Sequence, residues 1–206
     1  MGSNLSVCFK QRCSEPENPV LYLATNESTI PHELGIIVND LFIVCKFEQT
    51  EDFVYVPILG WEILMKLEDQ GIPSIIKDYF KDKSDYNRSI YNKISELFTA
   101  PRIIGNEDIY DQTIGLSNLY FQNGADGILY PSIADNFKSA NLSLLPEKVW
   151  SKLRAIDISI YKLLKTDANR SIDVQVLKEG KFNDVNNISW SNKIIDKYLR
   201  YKKNVP

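Results

Sequence analysis

A chain of 206 residues is long enough for one domain with its own core or one domain and a modest extension, and 44% apolar with 25% charged residues is ordinary globular composition, which excludes disorder as the default. No apolar run approaches the roughly 20 residues that span a bilayer, and no basic segment followed by an apolar one opens the chain, so the expectation is a soluble, cytoplasmic protein without a membrane partner. A net charge of −3 gives no general attraction to nucleic acid, and three cysteines (Cys8, Cys13, Cys45) without metal-ligand spacing suit a reducing compartment and argue against zinc or another metal.

In chain order, a Ser-, Glu- and Pro-containing loop carries one strong cation, Arg12, ahead of a short apolar run, Val20 to Ala24, that reads as a strand holding Tyr22. Asn26, Ser28 and Thr29 then supply oxygens for a helix start, with Glu33 about one turn further on, beside the single histidine, His32. Leu41 to Glu48 and Phe53 to Ile58 are strand-like. From Trp61 to Phe98 apolar residues recur at helical spacing, broken by Gly71, Pro73 and a loop from Asp82 to Asn87. A helix is expected from Tyr110 to Gln122, stopped by Asn123-Gly124 in a left-handed turn.

Asp126 to Ser132 reads as a strand ending in a turn, and Asn141 to Leu145 as a second short strand. A short helical piece from Val149 to Leu153 follows. Ile156, Ile158 and Ile160 then alternate with polar residues, as do Ile172, Val174 and Val176, which predicts a hairpin across Thr166 to Arg170. A final helix from Ser191 to Lys202 closes the chain, with the Lys197 to Lys203 cations read as the solvated end of that helix. The fold class is therefore α+β: a mixed, bent or split sheet with outer helices and a cleft between its halves. Residues 1–150 form the main domain, and residues 151–206 a C-terminal extension of hairpin plus helix packed on it.

One histidine leaves few routes to acyl transfer or a paired-histidine metal site, and a His32–cysteine dyad carries no local motif. Neither GxGxxG after a strand nor GxxxxGK[ST] is present, so neither phosphate-cradling loop is available. What remains is a sparse polar set beside apolar strands: Arg12, Tyr22, Glu33, Tyr130, Ser132 and Asn141. Singly, each has an ordinary explanation in surface, core or turn.

Together they resemble the RES domain family, named for its Arg, Glu and Ser. The resemblance rests on Arg12, on Leu-Tyr-Leu-Ala at 21–24, on Ser-Thr-Ile-Pro-His-Glu at 28–33, on Tyr110-Asp-Gln-Thr113, on Asp-Gly-Ile-Leu-Tyr-Pro-Ser at 126–132, and on Asn-Leu-Ser-Leu-Leu at 141–145. It spans about residues 10–150 in order and spacing, and the 126–132 block is its most specific part. The chain departs from the family at Gln11, where Gly is common, and at Pro31, where a small residue is usual; Pro31 fits within the first helical turn if Ser28 caps it.

The resemblance implies a fold similar to the ADP-ribosyltransferase toxins. It also implies an enzyme that degrades NAD+ by phosphorolysis or hydrolysis, releasing nicotinamide, with NAD+ as substrate, inorganic phosphate as a candidate co-substrate and no further cofactor. Members commonly act as toxins in bacterial toxin–antitoxin pairs, held inactive by an Xre-type helix-turn-helix antitoxin; self-association is left open. Nicotinamide on ribose is a cationic leaving group that departs neutral, so no general acid is needed, and one anion at the oxocarbenium with one cation on the pyrophosphate would suffice. Glu33 is assigned the first of these roles and Arg12 the second. Tyr22 or Tyr130 would stack on nicotinamide, while Ser132 and Asn141 hydrogen-bond substrate or phosphate. Two alternatives remain: an ADP-ribosyltransferase acting on a macromolecule, which would use the same Arg12, Glu33 and Ser132, and a non-catalytic binding module of the same fold, which Gln11 and Pro31 motivate and the retained Arg12, Glu33 and Ser132 argue against.

Overall fold

Two antiparallel-dominated sheets organise the chain in the computed structural model, which describes residues 11–60, 84–101, 110–183, 187–191 and 194–199. Among these lie nine strands, a 3-10 turn and four α-helices, which bears out the mixed α+β class with a split sheet. The expected helical pattern over 61–83 and Cys8 lie outside the described residues.

The first sheet has the order β1-β5-β4-β3, built from Leu21–Ala24 (β1), Ala140–Leu144 (β5), Gly127–Pro131 (β4) and Tyr55–Pro57 (β3). β4 is buried along its whole length, as an inner strand with an unbroken apolar run should be. Its first residue has to be glycine: a Cβ at Gly127 would fall 2.5 Å from Leu144 Cδ2 and 2.8 Å from the Ser143 carbonyl oxygen on the neighbouring strand. Tyr130 pairs with Asn141, and Ala24 with Asn141 on the other side, so these side chains share one face of the sheet.

That face is covered by helices. Asp85–Thr99 (α2) starts on Ser84, whose Oγ accepts from Asn87 N at 3.3 Å, and so begins inside the stretch expected to be loop. Asp111–Gln122 (α3) ends as expected at Gly124, which adopts φ +91. Phe98 of α2 packs with Ile58, Ile128, Tyr130 and Cys13 in a fully covered cluster, with Leu116, Tyr120 and Phe121 of α3 against it.

The second sheet has the order β2-β6-β7-β8, from Leu41–Gln49 (β2), Leu153–Thr166 (β6), Ile172–Phe182 (β7) and Ile188–Ser191 (β8), with Ile195–Leu199 (β9) also paired to β7. The β6–β7 hairpin turns where alternation placed it, with Thr166 opposite Ile172. One edge strand, β2, comes from the first 50 residues, so this sheet is not the product of residues 151–206 alone.

The expected C-terminal helix is corrected over its described part: residues 188–191 and 195–199 are strands. The physical reason is the open edge of β7. Leu199 pairs with Ile172 and sits 7% exposed in a core of Phe42, Val44, Tyr161, Leu163, Val174 and Val176, and an edge with unpaired backbone groups outweighs a weak helical pattern.

The chain passes between the sheets three times, over residues 50–54 from β2 to β3 and through two connectors that carry helix. Pro146–Lys152 (α4), with Pro146 in its first turn, joins β5 to β6. The other connector is the segment between β1 and β2, which contains the 3-10 turn Glu27–Thr29 and Ile30–Glu33 (α1).

Candidate active site

The segment from Asn26 to Glu33 is fastened to both sheets, and this fixes where Glu33 goes. Asn26 Oδ1 accepts from Ser28 N at 2.9 Å, so the entry is capped by Asn26, ahead of Ser28. Pro31 then falls in the first turn of α1, where its missing N–H costs nothing. On the side of the second sheet, Ile30 and Ile36 pack against the core, His32 Nε2 lies 2.9 Å from the Arg170 carbonyl oxygen, and Glu27 takes the Tyr161 hydroxyl on Oε1. Lys46 and Lys197 lie 3.4 and 3.7 Å from Glu27 Oε2. Burial first, and then the Glu27 hydrogen bond, raises the Tyr161 hydroxyl well above the usual tyrosine range.

On the side of the first sheet, Glu33 meets two of the expected residues. The Ser132 hydroxyl donates to Glu33 Oε1 at 2.6 Å, and Asn141 Nδ2 donates to the same oxygen at 2.7 Å. Both donors are buried, while Glu33 is exposed, and no hydrogen bond among the described residues reaches Oε2. The arrangement is a carboxylate fixed by one oxygen with the other free, at the end of β4 and the start of β5. Three of the six sequence candidates, from positions 33, 132 and 141, are thereby brought together.

Arg12 is placed differently. Its Nη2 donates to the Ala100 carbonyl at 2.6 Å, its guanidinium lies 5.4 Å from the centre of the Tyr110 ring, and its buried Nη1 has no hydrogen-bond partner among the described residues. The Tyr110-to-Thr113 motif thus meets Arg12 through its first residue, while Thr113 turns inward to donate to the Tyr110 carbonyl at 3.0 Å. Arg12 makes no described hydrogen bond to Glu33, Ser132 or Asn141.

Tyr130 is turned into the cluster around Phe98. Its ring is 5% exposed and packs 5.9 Å from Phe98, so in this structure it presents no open face for stacking. Burial pushes its hydroxyl well above the usual value; Cys13, Tyr22 and Glu33 push the same way and Arg12 opposes them, which puts Glu33 and Arg12 both within electrostatic reach of one side chain. Tyr22 is likewise engaged inward: its hydroxyl accepts from Cys13 N at 3.0 Å and lies 3.2 Å from Ser14 Oγ, so it anchors the loop that carries Arg12. Burial raises the Cys13 thiol to about 11, which keeps it protonated near neutral pH and removes it as partner in a thiol dyad.

Sequence reasoning missed Asp135 and Ser139, and Thr29, expected as a helix-start oxygen, makes no capping hydrogen bond and donates to Asp135 instead; all three are buried. Asp135 lies three residues after a serine whose Oγ accepts its N–H at 3.3 Å, and that Ser-x-x-Asp spacing in a turn was the available signal. A cavity of about 340 Å³, lined among others by Cys13, Val20, Phe121 and Leu145, opens at the opposite end of the β1–β5 ladder from Glu33. It does not include the Glu33 set. Comparisons with known proteins found no match: no family model fits the chain, and neither a curated protein nor a solved structure is significantly similar to it.

Proposed function

We propose that this chain is an NAD+-consuming enzyme of the RES type, with an ADP-ribosyltransferase-like fold, that releases nicotinamide from the ribose C1′. The observation that carries the reading is the Glu33 carboxylate, held on Oε1 by Ser132 and Asn141 and open on Oε2. In the reaction the bond between C1′ and the pyridinium nitrogen breaks, and the electron pair leaves with nicotinamide, which becomes neutral. Positive charge then develops on C1′ and the ring oxygen, where a preoriented anion is worth most. An oxygen of phosphate or water closes the new bond to C1′, and with water one proton is released. Oε2 faces the ribose and its developing charge, and Arg12 takes a phosphate oxygen on Nη1, which has no hydrogen-bond partner among the described residues.

Ser132 and Asn141 act on this reading by holding Glu33, and Tyr22 and Tyr130 by supporting the Arg12 loop and the β4 end. An Xre-type antitoxin and a cytoplasmic setting belong to the same proposal. The test is nicotinamide release by the purified chain, with and without inorganic phosphate. Glu33→Gln, which keeps the shape and removes the charge, should lower the rate about 100-fold or more. Full NAD+ consumption by that variant would end the assignment. Labelled ADP-ribose appearing on macromolecules in a lysate, instead of in small products, would change the acceptor to protein or nucleic acid.

A further inference from the structure

The groups that hold Glu33 are themselves held. Asp135 is 0% exposed, and its Oδ2 accepts the Thr29 hydroxyl at 2.8 Å and also the Ser139 hydroxyl, the two hydroxyl oxygens lying 2.7 Å apart. Oδ1 accepts from Lys138 N at 3.0 Å. Thr29 immediately precedes α1, and Ser139 closes the loop that Ser132 opens, with Ser132 N donating to the Ser139 carbonyl at 2.9 Å. Within that loop Asn136 and Phe137 both adopt φ 62, a left-handed conformation that a bulky side chain keeps only where its surroundings over-determine it.

Asp135 also sets the polarity of Ser132. Its backbone N–H donates to Ser132 Oγ at 3.3 Å. A hydroxyl has a single proton, so an oxygen that accepts on one side directs its proton to the other, here to Glu33 Oε1. A buried carboxylate is a poor way to gain stability, because well-packed apolar groups do as well without the desolvation cost. Geometry is the better explanation for its presence.

We propose that Asp135 is the positioning residue of this site: its amide orients the Ser132 hydroxyl, and its carboxylate, through Thr29, sets the start of the helix that presents Glu33. The catalytic consequence rests on the NAD+ reading; the coupling between loop and helix does not. Thr29 is the place to test it, since Thr29→Val exchanges the hydroxyl for a methyl of similar size and Thr29→Ser keeps the hydroxyl.

For nicotinamide release, T29V should lower kcat about tenfold with KM within about twofold, T29S should stay within about twofold of wild type, and T29V with Ser132→Ala should fall no further than the worse single variant. In parallel, amide hydrogen exchange on the full chain should rise at least about fivefold in both 30–34 and 132–139 for T29V, and in neither for T29S. Exchange that rises in only one segment, an unchanged kcat in T29V, or multiplicative losses in the double variant would each overturn the proposal. If the wild type releases no nicotinamide, the NAD+ reading fails and the exchange comparison alone decides on Asp135. Should T29V not fold, Ser139→Ala carries the same exchange comparison.

Discussion

Arg12 makes fewer contacts than its guanidinium can support. A guanidinium has five donors, and the described ones find one carbonyl and one aromatic face, leaving a buried Nη1 without a partner among the described residues. An unmade hydrogen bond at a buried donor costs about 1–3 kcal/mol, and an anion that supplies the acceptor recovers it. Pyrophosphate should therefore bind the wild-type chain and raise its melting temperature, whereas Arg12→Lys, a point charge without the fork, should bind about tenfold or more weakly by calorimetry. Equal affinity in the two proteins would remove Arg12 from the site. The same residue shows what the sequence could reveal. Arg12, Glu33, Ser132 and Asn141 stand out as polar groups beside apolar strands, but that Ser132 and Asn141 both bind Glu33 depends on strand register. Asp135 looks like any turn aspartate until its burial is known.

Elements were legible where period and length agreed. β6 and β7 alternate over many residues, and α3 has both its periodic face and its glycine stop, so each forms where expected. The C-terminus reads as a helix because Ile194, Ile195, Tyr198 and Leu199 also fit a helical face, and nothing local reveals that β7 offers an unpaired edge. Strand β9 makes a distinct forecast. Leu199→Ala, at 7% exposure in the core, should cost about 2–4 kcal/mol in urea denaturation, and Asp196→Ala, on the exposed face, within about 0.5 kcal/mol. Similar losses at the two positions would contradict the strand. For the first sheet, β4 and β5 are both legible as apolar runs bounded by turns, but no local pattern signals that β2 and β3, neighbours in the chain, belong to different sheets.

At the scale of the whole molecule, the two sheets are joined by α4 as well as by the Asn26–Glu33 segment, and α4 is tied down by Asp126. The first residue of the 126–132 block therefore acts as a structural anchor. Its Oδ2 accepts from Val54 N at 2.9 Å, and Lys152 and Lys148 of α4 lie 2.6 and 3.2 Å from its two oxygens. Burial pushes this carboxyl up, but the hydrogen bonds from Lys152, Val54 N and Lys148 outweigh it and bring its pKa down from 3.8 to about 2. Because the folded value lies below the unfolded one, the stabilisation is complete above about pH 4 and is lost as the pH falls through about 2. A shift of this size corresponds to about 2 kcal/mol. Wild-type stability, followed by urea denaturation from pH 6 downward, should thus carry an acid-side slope that Asp126→Asn lacks, with the variant about 2 kcal/mol less stable at pH 6 and converging on wild type near pH 2. If the two proteins are instead equally stable across that range, the charge on Asp126 is not what fastens α4 to the first sheet. Its hydrogen bond to Val54, which an asparagine oxygen reproduces, would then be the contact that matters.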